Sequence, residues 1–120
     1  MINTVCFFEV PTGNFESTQK FYGELFKWSF EKIPGPFRYY KIKMGSDTIK
    51  GGMTARQDPQ HTSVNYVKVQ SVQASLEKAQ KLGAQVVVPT NPVPGTGWFA
   101  VILDPEGNRI GLWQEDSSAG

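Results

Sequence analysis

Residues 64–69, VNYVKV, repeat the pattern of residues 5–10, VCFFEV. Both alternate with a period of two and are rich in β-branched and aromatic side chains, which is the signature of a half-buried strand. Each is followed by a short polar stretch and then by a helical pattern. The first helix is expected to start after Asn14 and to carry Phe21, Tyr22, Leu25 and Phe26 as an apolar stripe. The second is expected to start after Ser71 and to carry Val72, Leu76, Ala79 and Leu82, with Gly83 placed to end it. A strand follows each helix, at 27–32 and 85–89, and then a loop rich in Gly and Pro, at 33–37 and 89–97. Two further strands close each half: 38–44 and 48–54 around the turn GSD (45–47), then 98–103 and 109–114 around DPEGN (104–108).

The pattern is therefore βαβββ, twice, in one domain. Repeat one covers about 4–55, a linker about 56–63, and repeat two about 64–115. Neither half can bury a helix and a sheet well alone. Joined edge to edge, they predict an α+β fold: an eight-stranded curved mixed sheet with the helices on its convex face. The concave face is left open, and an open aromatic-lined face between the repeats is a ready small-molecule site.

The bulk numbers agree with an ordinary globular protein. Of 120 residues, 39% are hydrophobic and 19% charged. Twelve basic side chains oppose eleven acidic ones, and the net charge of +1 makes no electrostatic case for nucleic acid or an anionic membrane. The single cysteine, Cys6, permits no internal disulfide. No signal peptide or membrane-spanning stretch is visible, and a cytoplasmic location is the default expectation. There is no phosphate-binding glycine loop, no nucleophile elbow and no CxxC pair.

Several stretches carry a family likeness: FFEVPTGNFESTQKFYGELFKW (7–28), GGM (51–53), LEKAQKLGAQVVVP (76–89) and GWFAVILDPEGNRIGLWQ (97–114). With the paired repeat, they make the chain resemble the vicinal-oxygen-chelate superfamily, and most of all its small glyoxalase/bleomycin-resistance-like members. The resemblance covers essentially the whole chain. It implies one divalent metal in the open face, held by His, Glu or Gln from the first and last strand of each half, with positions left for a substrate's two oxygens. The positions it implies fall here on Val5, Val64, Gly111, and Gly51 or Gly52. Valine and glycine side chains cannot ligate, so the expectation is a member with no metal ligands and no cofactor.

Strand parity gives the residues that remain on that face. They are Val5, Phe7 and Glu9; Val64, Tyr66 and Lys68; Arg109, Gly111 and Trp113, with Trp28 and Trp98 at the border. Cys6, Phe8, Val10, Val67, Val69, Ile110 and Leu112 fall on the helix side. Phe7, Tyr66 and Trp113 either stack on a flat ligand or pack against one another. Glu9, Lys68 and Arg109 either recognise polar groups and move protons or form exposed ion pairs. Gly111 either lets a ligand lie on the backbone or relieves crowding beside Trp113 or Phe7. His61 is read as a solvated loop residue and Cys6 as an inert buried thiol.

The expected function is metal-free binding of a small molecule, with Phe7, Glu9, Tyr66, Lys68, Trp98, Arg109, Gly111 and Trp113 as ligand contacts. The alternative is a glyoxalase-type lyase or isomerase, metal-dependent or working through Glu9, Tyr66 or Arg109. The resemblance also implies a homodimer; neither nucleic acid nor membrane is an expected partner.

Overall fold

The computed structural model describes residues 2–45 and 49–120. The order of elements is β1 (Thr4–Thr12), α1 (Phe15–Phe26), β2 (Ser29–Lys32), β3 (Tyr39–Lys43), β4 (Lys50–Ala55), β5 (Val64–Lys68), α2 (Val72–Lys81), β6 (Gln85–Val93), β7 (Gly97–Leu103) and β8 (Arg109–Glu115). This is βαβββ twice, an α+β fold. The strands follow one another as β2-β3-β4-β1-β5-β8-β7-β6 in an eight-stranded sheet. The sheet is mixed: β1 with β4 and β5 with β8 are parallel, and β2–β3, β3–β4, β6–β7 and β7–β8 are antiparallel. The turn read at 45–47, and the first residue of the strand read from 48, lie outside the described residues except for Gly45.

The chain divides into two compact units, residues 7–63 and residues 1–6 with 64–120. In the first, α1 begins where the sequence places it. Asn14 Oδ1 accepts from the Ser17 N–H at 3.0 Å, and Thr12 Oγ1 accepts from the Asn14 N–H at 2.9 Å. The helix ends at Lys27, in the left-handed region at φ 63°, with its N–H bonded to the Gly23 carbonyl. The core is Phe15, Ile42 and Met53, with Phe8, Val10, Tyr22, Trp28, Phe30, Tyr40 and Met44 packed around it. Met53 is fully buried, worth about 1.5–3 kcal/mol relative to exposure. Of the apolar stripe read for α1, only Tyr22 reaches this core; Phe21, Leu25 and Phe26 are each more than half exposed. The 12-residue helix anchors itself instead by Phe15 in its first turn and by the Tyr22–Trp28 stack at 5.3 Å.

In the second unit Ser71 Oγ accepts from the Ala74 N–H at 3.1 Å, and Gln114 Oε1 of β8 accepts from the Val72 N–H at 2.9 Å. Gly83, at φ 102°, turns the chain out of α2. Val72, Leu76, Val69, Ala100, Ile102 and Leu112 form the core, and Leu82 lies outside it, exposed. β6 runs on to Val93, four residues past the expected end. It is the last strand of the sheet order, so the missing N–H groups of Pro89 and Pro92 cost it little, and its register shifts twice between Val86 and Asn91.

His61 departs from its reading as a solvated residue. It is 8% exposed. Its Nδ1 accepts from the Gln57 N–H at 3.0 Å, its N–H donates to the Asp58 carbonyl at 3.0 Å, and its carbonyl accepts from the Arg56 guanidinium. Arg56 also donates to the Pro11 carbonyl at 3.4 Å, which ties the 56–61 turn to β1.

Candidate functional site

Strand pairing decides which side chains each helix leaves uncovered. In residues 7–63, Phe8, Val10, Phe30, Tyr40, Ile42 and Met53 face the core under α1. Their neighbours in sequence therefore project from the other face: Phe7 and Glu9 on β1, Tyr39 and Lys41 on β3, Gly52 on β4, with Glu9 and Lys41 both in register with Gly52. The Tyr39 hydroxyl donates to Glu9 Oε2 at 3.0 Å. Gly52 makes this possible: a Cβ there would lie 2.9 Å from Tyr39 Cε1 and closer still to the hydroxyl. Burial pushes the Glu9 carboxyl above the usual carboxylate range, and the Tyr39 hydrogen bond pulls it only part of the way back. A half-buried carboxyl in that condition can donate a proton or accept a hydrogen bond near the surface of the sheet.

In residues 64–120, Tyr66 and Gly111 are in register, as are Lys68 and Trp113, so these four sequence-predicted residues share one face. The Tyr66 ring lies against Gly111. A Cβ at 111 would sit 2.7 Å from Tyr66 Cγ and closer to Cδ2 and Cε2. The crowding that Gly111 relieves comes from Tyr66, not from Trp113 or Phe7; Trp113 lies instead over Gly97, whose Cβ would meet Trp113 Cη2 at 2.7 Å. Tyr66 is buried and Trp113 half-buried. Lys68 pairs with Glu115 at 3.3 Å. Arg109 lies at the start of β8, opposite Leu103.

Trp98 leaves the predicted set. It alternates with Phe99, packs on the helix-side core with Ala100 and Ile102, and its indole N–H donates to Asp116 Oδ2 at 3.0 Å. Trp28 is likewise part of a helix-side core. Phe7 and Glu9 keep the predicted parity. Tyr39 was missed; the alternation of YYKIK (39–43) against the core residues Tyr40 and Ile42 is the signal that finds it. Cys6 is half-buried, its thiol 3.7 Å from the Tyr66 carbonyl, and burial pushes its pKa up although Lys68 opposes this. That is the setting of an inert thiol.

An eight-stranded sheet of this strand order, with one helix in each βαβββ unit, defines a class of protein: α+β chains built from tandem βαβββ units. The chain belongs to the Glyoxalase/Bleomycin resistance protein/Dioxygenase superfamily, whose sequence profile matches residues 3–112. It is 27% identical over 123 residues to a Mycobacterium bovis protein named "Putative glyoxylase CFP32", covering 93% of this chain and 46% of that one. It thus spans about half the length of the curated relatives it matches. The fold is shared with protein BH1468 of Bacillus halodurans, at TM-score 0.70 and 14% identity over 98% of both chains. It is shared also with methylmalonyl-CoA epimerase of Mycobacterium tuberculosis, at TM-score 0.68 and 10% identity, covering 94% of this chain and 88% of that one.

The residues at the implied metal positions do not fit a metal ion. Val5 and Val64 offer no donor atom. Of the two glycines on β4, Gly52 shares the face of Glu9, while Gly51 lies under the Phe8 ring on the helix side. At 52 and 111 the space a ligating side chain needs is filled by Tyr39 and Tyr66. Among the described residues, no three His, Cys, Asp or Glu side chains gather where one ion could be held. No helix among the described residues is long and apolar enough to cross a membrane.

Proposed function

We propose that this chain is a metal-independent small-molecule-binding protein of the superfamily, with recognition centred on Glu9 and Tyr39. The observation that carries the reading is the Tyr39–Glu9 hydrogen bond laid over Gly52, on the face of the strands opposite the core under α1. A half-buried carboxyl and a phenol held together on a glycine floor are a pre-organised polar anchor. A second reading, lyase or isomerase chemistry of the glyoxalase type, is favoured by one feature: the raised Glu9 carboxyl, a suitable proton acceptor if a substrate carbon acid is placed beside it.

The test is a thermal-shift and isothermal titration series on the full chain, with Zn²⁺, Ni²⁺, Mn²⁺ and Fe²⁺ in one arm and a library of aromatic and acyl small molecules in the other. The reading expects no stoichiometric metal binding, and ligands whose affinity falls in Glu9→Ala and Tyr39→Phe variants. One equivalent of tightly bound metal per chain overturns it. Turnover that Glu9→Gln abolishes moves the second reading to the front.

A further inference from the structure

The face that carries Glu9 and Tyr39 has a second chemical feature, which the anchor does not use. Lys41, Lys43 and Lys50 alternate with the core residues Ile42 and Gly51 and so project from the same side of the sheet. Glu31 stands directly opposite Lys41 on β2, on the same face. Glu31 reaches Lys43 at 3.9 Å, and Glu9 holds the Tyr39 hydroxyl. Among the described residues, no carboxylate lies within ion-pair distance of Lys41 or Lys50. These two cations are close. Lys41 is directly opposite Gly52, and Lys50 is two residues along the same strand, which makes them diagonal neighbours with Cα atoms roughly 7–8 Å apart. Flexible four-carbon stems let both ammonium groups converge on one anion from that spacing. On the other side of Gly52, Glu9 is the next residue in the row. Cα atoms two strands apart are about 9–10 Å from each other, the span of a bicyclic organic molecule.

We infer that the ligand of this face is an organic anion: its carboxylate or phosphate group sits between Lys41 and Lys50, and a polar group at its far end meets Glu9 and Tyr39. This rests on the small-molecule reading above and adds the charge of the ligand and the residues that select it.

The experiment uses three probes of one shape on the full chain: 2-naphthoate, 2-naphthyl phosphate and the neutral 2-naphthylmethanol. Affinities are read from amide chemical shifts in wild type and in the Lys41→Gln/Lys50→Gln double variant, both substitutions being at exposed positions. At low salt the anionic probes are expected to bind about three- to tenfold more tightly than the alcohol. The double variant is expected to erase that advantage while leaving the alcohol unchanged, and the better of the two anions names the headgroup. Equal binding of anions and alcohol, or an anion preference that survives in the double variant, overturns this inference and leaves the small-molecule reading standing. Failure of all three probes and of the wider library to bind removes both.

Discussion

Replacing Gly111 by alanine tests the central packing claim with one methyl group. The added Cβ would lie 2.7 Å from Tyr66 Cγ and nearer to the ring edge. Carbon atoms in contact prefer about 3.5–4.0 Å, so the ring must retreat by about 1 Å. It cannot do so freely, because Tyr66 is 8% exposed and its strand is held in register against β8 at this residue. Overpacking of this kind costs about 1–3 kcal/mol, and alanine recovers roughly 0.5–1 kcal/mol of glycine's backbone entropy, which leaves about 1–2 kcal/mol of destabilisation. In a chain of this size that lowers the midpoint by about 3–12 °C. Urea and thermal unfolding followed by circular dichroism read the difference. Gly13→Ala is the control: nothing lies within 4 Å of its Cβ position, and it is expected to stay within about 0.5 kcal/mol of wild type. In a Tyr66→Ala background the cost of Gly111→Ala is expected to vanish. A Gly111→Ala protein as stable as wild type, or an equal cost with and without the Tyr66 ring, refutes the reasoning.

Further expectations concern the anchor and its surroundings. The folded-state pKa of Glu9 lies above its unfolded value, so its ionisation in the fold carries a penalty that is absent below the carboxylate range, grows as pH rises through it, and is then constant. Glu9→Gln is therefore expected to match wild type near pH 3 and to exceed it in stability near pH 8 in urea titrations. Tyr39→Phe removes the hydrogen bond that lowers the Glu9 carboxyl, and carbon-detected NMR of that carboxyl is expected to show its pKa rising further. His61→Ala leaves the Gln57 N–H without its buried acceptor, and a loss of about 1–3 kcal/mol is expected in chemical unfolding.

The order of elements was legible because each depends on local signals. Asn14 and Ser71 cap the helices as their side chains dictate, and period-two alternation placed Phe7, Glu9, Tyr66, Lys68, Gly111 and Trp113 on the side of their strands away from the helix-side cores. What escaped depends on tertiary contacts. β6 tolerates two prolines only because it is an edge strand, which composition does not announce. Phe21, Leu25 and Phe26 have helical spacing, yet the 12-residue helix packs through Phe15 and Tyr22. His61 is buried by backbone donors and acceptors of its own turn, which no residue pattern encodes. Tyr39 sits 30 residues from Glu9, and only the register of β1, β4 and β3 brings them together. Trp98 falls one residue off the parity of Phe99, a shift of a single position that moves a side chain to the other face.

The most direct measurement is a nitrogen–proton correlation map of the full chain, recorded during titration with the tightest library ligand and, separately, with Zn²⁺. The account expects the ligand to move the Gly52 amide together with the signals of Glu9 and Tyr39, and Zn²⁺ to leave them in place. A ligand that perturbs only the helix-side residues around Leu76 or Met53, or one equivalent of Zn²⁺ that shifts Gly52 and Gly111, contradicts it.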